Sequence, residues 1–536
     1  MTSGLTARRL AVSAADAGAS LAVHAPHLLD PFTAALPAAA DTVGRRLRGA
    51  LVREGLVPPA PGDHVHAFRR VEYAHAGADD PALLLPAGLP GNTAGFAAEL
   101  RNAVVNLAIA MARHGQAGDP GADPDGQAVA GERLAVTGHN LHPCGRTRLG
   151  WDAVDVLAHD LEAGHTRVGM LAVRDDVHLG DDLGAALRAA YPSLPAVPPG
   201  FRLHPVHAWQ RDAVVAVRHH DLIAAGAVRI LDDELAAVPT AALRTLLLPP
   251  GADGRRRYLK VSLDIQVTST RRGISVASTR NGPAVSALLH RLAADEDRLL
   301  LLAETAGAAV PSGRDLSAIL RDGLTGRLHP GERAVPGGAL PLLTGSLVAD
   351  FAASTGRRAG AGAAAGFLHA YARLLLPPLL RLTRHGVALE AHLQNCLPTF
   401  VGGVPHRLAV RDFAGLRLHP GRLAAAGHDV TLWPGSVVAT GDEDVLRAKL
   451  GYTAFQAHLG ELVLRLGESH GLGEDAAWRI VRSVVDETYD ALGDAGRADH
   501  AAFTAPLVPH KALVRMRLAG AGDAYVPVGN PLHAAA

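Results

Sequence analysis

The most regular alternation of apolar and polar residues in the chain begins at Lys260 and ends at Thr268. Its apolar members are Val261, Leu263, Ile265 and Val267. Because successive side chains of a β-strand point to opposite faces, the run predicts a strand with one face in a core. Lys260 and Thr268 would share the polar face, about 26 Å apart on a straight strand. Lys260 and Arg272 therefore contact one large anion only if the chain bends or other groups lie between them. Otherwise they are solvated charges at strand ends.

A second alternation, from Val387 to Asn395, places polar residues on one face of a predicted strand. These polar residues are Glu390, His392 and Gln394, about 6.6 Å apart in succession. Glu390 offers a hard oxygen for Mg²⁺, and His392 offers a hydrogen-bond donor or a neutral ligand. Gln394 and Asn395 offer amide groups that would fix a ligand. The alternative is an edge strand whose polar face is only solvated.

A shorter strand is predicted from Leu408 to Phe413, and Gly402-Gly403 lies between it and the strand of Glu390. If the two glycines turn a hairpin, Asp412 arrives almost opposite His392. Glu390 and Asp412 would then form a two-carboxylate site suited to a divalent cation.

A loop rich in glycine, proline, histidine and arginine runs from Gly138 to Trp151. Its histidines and arginines are suited to bringing imidazoles and cations to a phosphate or a carboxylate. His139 and His142 are alternatively zinc ligands, although no third ligand follows at the spacing of a zinc site. Cys144 as a nucleophile is a further alternative, but nothing in the sequence singles out a base for it.

The bulk composition limits the class of protein. At 536 residues the chain is too long for one core, and we expect two or three domains. Lys and Arg number 52, as do Asp and Glu, so no basic excess indicates a nucleic-acid surface. Hydrophobic residues make up 48% and charged residues 19%, which excludes a largely disordered chain.

The same survey predicts a cytoplasmic protein without a membrane partner. Two cysteines give no disulfide framework. Ser13 and Asp16 interrupt what would be the apolar stretch of an export signal. No window of 18 residues is both free of charge and strongly apolar.

The order of the patterns divides the chain into three parts: 1–130, 131–325 and 326–536. The first is predicted to be mainly helical and ends in a stretch rich in Gly, Pro and Asp. The second holds the histidine loop and the Lys260 strand, and a helical segment in it is predicted to end near Arg321. The third begins with a stretch rich in Pro and Gly and is mainly helical around the Glu390 strand. No glycine-rich phosphate loop, dinucleotide fingerprint or kinase motif is present, so any ATP would be bound by scattered cations.

Seven short motifs follow one another between about Phe96 and Leu532. They are Gly138-His139 with His142-Pro143 and Arg148-x-Gly150; His207-x-Trp209-Gln210; Arg244-Thr245; Lys260 with Thr268 and Arg272; Glu390-x-His392-x-Gln394-Asn395; Arg411-Asp412; and Lys511 with Arg517 before Asn530-Pro531-Leu532. Each motif alone is weak, but the set in this order is highly specific. It resembles the siderophore synthetases that work independently of non-ribosomal peptide synthetases, the aerobactin-synthetase (IucA/IucC) family.

The resemblance implies a multidomain α+β fold shaped like a cupped hand. Residues 1–130 would form a helical thumb, 131–325 sheet-containing fingers, and 326–536 a mainly helical palm. It also implies a homodimer and an ATP-dependent ligase. Such an enzyme adenylates a carboxylate of citrate or a related polycarboxylic acid and releases pyrophosphate. An amine, a hydroxylamine or an alcohol then takes the acyl group, and AMP departs.

Site roles carry over from the family by position. The catalytic residues would be His139, His142, Arg244, Lys260 and Arg272. The ATP-binding residues would be Arg146, Arg148, Thr245, Thr268, His392, Gln394 and Asn395. Mg²⁺ would be bound by Glu390 and Asp412.

The chain departs from the family pattern at four positions. Asn140 and Ala208 replace the usual prolines, Arg146 a lysine and Ala242 a serine. Loss of the serine hydroxyl removes one phosphate contact, worth about 1 kcal/mol. Ala242 and Asn140 therefore leave open a catalytically silent relative that only binds nucleotide or polycarboxylate. A zinc hydrolase built on the 28 histidines is the third alternative.

Overall fold

Three long helices at the amino-terminal end pack on one another through apolar faces. The computed structural model describes residues 2–268, 270–311, 313–520 and 522–535. The three helices span Thr2–His24, Leu29–Arg53 and Thr93–Ala112. Their interface is built from fully buried side chains, among them Leu21, Leu47, Leu100 and Leu107. The helical character predicted for this part is confirmed. The stretch 116–131, rich in Gly, Pro and Asp, is predicted to be a surface loop or a domain boundary. A loop is wrong for its second half, because Asp123 caps a helix that spans Pro124–Glu132, while a boundary there stays a prediction.

A short helix from the far end of the chain completes this amino-terminal core. It spans Leu513–Ala519, and its Val514 and Leu518 are buried in the same cluster. The Glu54 carboxylate accepts hydrogen bonds from the backbone N–H groups of Val514 and Arg515, at 2.8 and 2.9 Å. The two ends of the chain therefore share one hydrophobic core.

The central part contains an eight-stranded sheet in which every neighbouring pair is antiparallel. In spatial order the strands are Leu179–Gly180, Glu304–Ala309, Ser317–Asp322, Arg257–Val261, Thr245–Leu247, Val228–Pro239, Thr166–Arg174 and Phe201–His207. One face is apolar and packs on the helix Leu183–Ala190. Arg321 lies in a strand and not near a helix end as predicted, because Ala318, Ile319 and Leu320 are all buried within the sheet.

The predicted strand from Lys260 to Thr268 is broken at Ser262. Arg257–Val261 belongs to the eight-stranded sheet, whereas Leu263–Val267 pairs with Thr270–Arg272. The Ser262 N–H donates to the Ser317 carbonyl, and its hydroxyl accepts the Ile274 N–H at 3.2 Å. The bend that the sequence required is therefore present.

The carboxy-terminal part is built around the helix Ala361–Arg384, which packs on Glu474–Leu492. Among the described residues it is the one helix with the length and apolar composition of a membrane span, and 67% of its apolar window is buried inside the protein. Beside it lies a four-stranded sheet with strands, in spatial order, Leu299–Leu301, Val404–Val410, Cys396–Val401 and Glu332–Ala334.

Gly402 and Gly403 turn the predicted hairpin between Cys396–Val401 and Val404–Val410. Both glycines have positive φ, 54° and 80°, which a side chain would oppose. Gly403 also approaches Asp350 too closely for a Cβ. The predicted turn at these glycines is confirmed, but the strand before it is Cys396–Val401 and not the predicted strand of Glu390, and the strand after it is Val404–Val410 and not Leu408 to Phe413.

The prediction of a strand from Val387 to Asn395 is wrong beyond its first two residues. Val387–Ala388 pairs with Arg417–Leu418, and Leu393–Asn395 is a single 3₁₀ turn. The Asn395 amide donates to the Glu390 carbonyl at 3.0 Å. Because a side chain takes the place of a neighbouring strand, the backbone leaves the sheet here.

The remaining elements are shorter or support the palm. Two further strand pairs join Val65–His66 to Arg70–Val71 and Leu507–Lys511 to Tyr525–Gly529. The other helices are Ala153–His159, Ala208–Gln210, Ala216–Arg218, His220–Ala224, Val276–Leu292, Thr344–Ser354, Pro420–Ala425, Glu443–Leu450, Gly460–His470, Arg497–Phe503 and Pro531–Ala534. A π-helical stretch, Gly451–Leu459, joins two of them.

Candidate active site

Lys260 and Asp412 form an ion pair at the polar face of the eight-stranded sheet. The Lys260 Nζ donates to Asp412 Oδ1 at 2.7 Å, and the lysine side chain is 1% exposed. Arg321 lies 3.6 Å from Asp412 Oδ2 and also pairs with Glu304. Burial alone would raise the pKa of Asp412, but Lys260, Arg321 and Arg244 hold it well below its usual range. Burial lowers the pKa of Lys260, which Asp412 opposes.

Asp412 is held in a strained backbone conformation. Its φ is +66°, in the left-handed region that residues other than glycine rarely occupy. The preceding Arg411 is anchored by an ion pair with Glu132 and by the Gln394 carbonyl, which accepts two of its hydrogen bonds. Strain of this kind persists where the surrounding structure fixes the residue, as it does here.

Thr245 is the neighbour of Lys260 in the sheet register and faces the same side. Its hydroxyl is buried and has no hydrogen-bond partner among the described residues. A buried hydroxyl without a partner costs free energy, so this position favours an anionic ligand that would accept its hydrogen.

Arg244 and Arg272 lie beside this pair. The Arg244 guanidinium donates to the carbonyls of Arg272 and Gly273, at 3.0 and 3.1 Å. Arg272 donates to the Thr268 hydroxyl at 3.0 Å, and Thr268 makes the turn with φ +57°. Burial, with the Arg244 charge, lowers the pKa of Arg272 to about 10. The bend at Ser262 thus places Arg272 near Lys260, whereas a straight strand would separate them.

The histidine loop uses its imidazoles as hydrogen-bond acceptors for its own backbone. His139 Nδ1 accepts the N–H groups of Leu141 and His142, at 3.1 and 3.2 Å. His142 Nδ1 accepts the Cys144 N–H at 3.0 Å. Burial and the nearby Arg272 lower the pKa of His142 to about 3. Both rings are therefore neutral with the proton on Nε2, which makes them hydrogen-bond donors and not cations.

The zinc and thiol alternatives gain no support from this loop. Among the described residues, two groups of three place their ligand atoms close enough for a metal ion, and neither includes His139 or His142. The groups are His64, His66 and Glu474, and His329, Glu332 and His406. Burial raises the pKa of the Cys144 thiol, which disfavours the thiolate that a nucleophile needs.

Arg146 and Arg148 are engaged by buried acids. Arg146 forms a two-point ion pair with Glu162 and donates to the Val136 carbonyl at 2.6 Å. Arg148 donates to both oxygens of Asp160, at 2.9 and 3.2 Å. These contacts hold the histidine loop in place. Nucleotide contact by the two arginines stays a prediction, and their existing pairs do not favour it.

Glu390 lies in the irregular segment that follows Val387–Ala388. Lys449 donates to its Oε1 at 3.0 Å, and His392 Nε2 is 4.0 Å from its Oε2. Burial would raise the pKa of Glu390, but Lys449 and His392 reverse this and lower it. A Cβ at Gly415 would overlap the Glu390 carboxylate, so any larger residue there would displace this carboxylate.

Gln394 and Asn395 both form hydrogen bonds that involve backbone carbonyls, Gln394 with its own carbonyl and Asn395 with its side-chain amide. The Gln394 carbonyl accepts hydrogen bonds from Arg411, and its side chain is exposed. The Asn395 amide closes the turn to Glu390. Their contact with a nucleotide stays a prediction, as does that of His392.

Two family models match parts of this chain. A family model described as the IucA / IucC family matches residues 127–341, and one described as ferric iron reductase FhuF-like transporter matches residues 366–526. The uncharacterized protein y4xN of Sinorhizobium fredii is 29% identical over 361 residues, which cover 62% of this chain and 57% of that protein. The D-ornithine–citrate ligase of Staphylococcus aureus is 24% identical over 468 residues, which cover 75% of this chain and 70% of that protein.

Solved structures show the same fold. The petrobactin biosynthesis protein AsbB from Bacillus anthracis superimposes with a TM-score of 0.80 and 19% identity, covering 96% of this chain and 98% of that one. The ATP-bound aerobactin synthetase IucA from Klebsiella pneumoniae does so with a TM-score of 0.73 and 19% identity, covering 92% and 99%. The chain is similar to the IucA/IucC family in sequence over residues 127–341 and shares the fold of these synthetases over nearly its whole length. The α+β cupped-hand fold that the motifs implied is confirmed, while the domain boundaries near 130 and 325 stay predictions.

The named relatives are ligases and synthetases, among them the staphyloferrin A synthase of Staphylococcus aureus. The catalytically silent alternative is not favoured. One departure from the family pattern, Asn140, takes part in packing: its amide donates to the Ala457 carbonyl and to Glu461, at 3.0 and 3.1 Å. Gln210 fixes the bend beyond Ser262, because its side chain accepts the Asp264 N–H and donates to the Asp315 carbonyl.

The sequence did not indicate three charged residues of this candidate site. Arg321 and Glu304 extend the Lys260 pair, and Lys449 holds Glu390. Arg321 and Glu304 lie on neighbouring strands that were not predicted. Lys449 is in the helix Glu443–Leu450 with no motif around it, so nothing in the sequence pointed to it.

The donor set fits a hard divalent cation in part. The charges of Glu390 and Asp412 both raise the pKa of His392 and the pKa of Arg272. The two carboxylates therefore lie near the same two side chains. Each is ionised, and each offers oxygen ligands of the kind that Mg²⁺ prefers. Each is also paired with a lysine, so phosphate oxygens would have to complete the coordination. Mg²⁺ at these residues is therefore a proposal.

Proposed function

We propose that this chain adenylates a carboxylate of citrate or a related polycarboxylic acid and transfers the acyl group to an amine. One observation carries the proposal: Arg244, Lys260 and Arg272 converge beside the unpartnered Thr245 hydroxyl. This is a phosphate site made of scattered cations, in a chain without a glycine-rich phosphate loop. The names of the relatives supply the substrate class, since one is a citrate ligase of D-ornithine and another a citryl-spermidine ligase.

The reaction has two steps. A carboxylate oxygen attacks the α-phosphorus of ATP, and the bond to pyrophosphate breaks. The amine nitrogen then attacks the acyl carbon, AMP leaves with the bridging oxygen, and the amine loses one proton. Negative charge grows on the α-phosphate oxygens and on pyrophosphate in the first step, and fixed cations in a dry site stabilise it there.

Each predicted site residue has a role in this scheme. Arg244, Lys260 and Arg272 would bind the phosphates, with Thr245 and Thr268 as neutral donors. His139 and His142 would donate from Nε2. Glu390 and Asp412 would hold Mg²⁺, which neutralises phosphate charge when bound. His392, Gln394 and Asn395 would border the nucleotide, and Arg146 and Arg148 would position the histidine loop.

The test is acid-dependent exchange of pyrophosphate into ATP by the purified protein, without any amine. Citrate, succinate and 2-oxoglutarate form the panel. We expect exchange with one acid, and its loss in Arg272→Ala. Arg373→Ala is the matched control, because Arg373 pairs with Glu487 on an exposed surface. Exchange that is absent for every acid, or unchanged in Arg272→Ala, would overturn the proposal.

The family resemblance also supports a cytoplasmic homodimer. Light scattering on the purified chain tests the dimer directly. A molecular mass near 55.5 kDa at micromolar concentration would contradict it, because that is the mass of one chain.

A further inference from the structure

A cavity of about 200 Å³ lies beside the histidine loop, which contributes Asn140 and Leu141 to its lining, as does the preceding Thr137. Five arginines line it: Arg45, Arg46, Arg53, Arg70 and Arg465. Its two acidic residues are Glu72 and Glu461. The lining therefore carries a net positive charge, which attracts an anion.

The two acids already have partners. Arg70 donates to Glu72 at 2.5 Å and lies 2.6 Å from Glu461. Arg465 pairs with Glu461 at 2.8 Å and with Glu72 at 3.3 Å. Two positive and two negative charges thus compensate one another within the cavity. Arg45 pairs with Asp41 on its own helix.

Arg46 and Arg53 remain without a carboxylate partner among the described residues. Arg46 donates to the carbonyl and the hydroxyl of Thr137, both neutral groups. Arg53 is 4% exposed, and its Nε has no hydrogen-bond acceptor. The Tyr452 hydroxyl is also buried without a hydrogen-bond partner among the described residues. Glu54 and Glu72 offset the burial of Arg53 only in part, without an ion pair. A buried guanidinium without an ion pair is costly, and a ligand carboxylate that supplies one explains its presence.

We propose that this cavity binds the carboxylate of the acyl acceptor, so that the acceptor is an amino acid and not a plain diamine. The inference rests on the proposed function. A planar guanidinium binds a carboxylate through two parallel hydrogen bonds, which matches Arg53 with one carboxylate. Glu72 and Glu461 disfavour a polycarboxylate with several negative charges and tolerate a zwitterion. The Arg46 charge contributes to the lowered pKa of His139 and of His142, so the cavity adjoins the loop assigned to the phosphates.

The experiment separates the two half-reactions. Acid-dependent pyrophosphate exchange without an amine reports adenylation alone. Product formation is then measured with three diamino acids, ornithine, lysine and 2,3-diaminopropionate. Each is compared with the diamine that lacks only its carboxylate: putrescine, cadaverine or ethylenediamine.

We expect the wild-type protein to prefer one amino acid over its diamine. Arg53→Gln should raise the KM for that amino acid about ten- to a hundredfold, because a charge-assisted contact is lost. The rate of pyrophosphate exchange and the KM for the diamine should not change. Arg48→Gln is the control on the same helix, because Arg48 stacks on Tyr73 and lies outside the cavity lining. Equal losses for amino acid and diamine, a preference for the diamine, or a raised KM for the polycarboxylic acid would overturn the inference.

Two further readouts keep the inference independent of turnover and of folding. Calorimetric titration of the three amino acids into the resting protein should show binding that Arg53→Gln abolishes. If the protein binds an amino acid in this way but shows no pyrophosphate exchange, the cavity is an amino-acid site and the proposed reaction is wrong. If no amino acid binds, the cavity is not an amino-acid site. Because Arg53 is buried and unpaired, Arg53→Gln should unfold at the same temperature as the wild type or higher. A lower unfolding temperature would indicate a structural role and count against the inference.

Discussion

Lys260 and Asp412, 152 positions apart in the chain, meet in a 2.7 Å hydrogen-bonded ion pair that joins the eight-stranded sheet to the residue after the hairpin. Removing Asp412 leaves the Lys260 charge buried, and removing Lys260 leaves the partly buried Asp412 with Arg321 as its remaining ion-pair partner. Lys260→Met and Asp412→Asn should each lower the free energy of unfolding by about 3 kcal/mol.

The double variant should lose less than the sum of the two, since it leaves no unpaired charge of this pair. Urea denaturation of the four proteins measures the coupling. Arg373→Met, which breaks an exposed pair, should cost no more than about 1 kcal/mol. Additive losses for Lys260 and Asp412 would show that the pair is not a unit.

Gly415 controls the position of Glu390, because a Cβ there overlaps its carboxylate. Gly415→Ala should displace Glu390 and raise the Mg²⁺ concentration needed for half-maximal exchange about tenfold, as changes at metal ligands do. Gly345→Ala is the control, since a Cβ at that helical position meets nothing within 4 Å. An unchanged Mg²⁺ requirement in Gly415→Ala would remove Glu390 from the metal site.

Arg146→Lys would restore the lysine usual in the family and tests whether Arg146 is structural. Lysine cannot form the two-point contact that Arg146 makes with Glu162, so we expect a loss of about 1–3 kcal/mol in stability. The KM for ATP should not change. Thermal unfolding and exchange kinetics give the two values, and a raised KM with unchanged stability would instead support nucleotide binding.

Glu332 gives the fold a defined sensitivity to acid. Burial opposes ionisation, but hydrogen bonds from Arg407, the His329 N–H and Thr399 lower the pKa of Glu332 from 4.5 to about 2. The unfolded chain therefore binds more protons than the folded one between those two pH values. Stability contributed by Glu332 is present above pH 4.5 and is lost as pH falls toward 2.

Glu332→Gln should flatten the dependence of the unfolding free energy on pH within that window. Urea titrations at several acidic pH values measure the slope. Glu487→Gln, at an exposed pair, is the control. An unchanged slope in Glu332→Gln would mean that Glu332 does not carry this dependence.

The sequence predicted those features that depend on local pattern. The Gly402-Gly403 hairpin and the bend between Lys260 and Arg272 follow from turn chemistry and strand length. The segment from Glu390 to Asn395 has the alternation of a strand, yet side chains from Asn395 and Arg411 bind its backbone instead. Lys449 and Arg53 come from distant helices, and only tertiary packing determines what they contact.

The helix Leu513–Ala519, which closes the amino-terminal core, determines when this core can finish folding during synthesis. Leu47 and Leu100 emerge from the ribosome long before Val514 and Leu518, the residues that share their cluster. Until Leu513–Ala519 has been synthesised, the first three helices expose an apolar surface, and the Glu54 carboxylate lacks its two backbone donors. During synthesis this surface is the natural target for a chaperone, and a stop codon just before Leu513 would leave it uncovered for the lifetime of the protein.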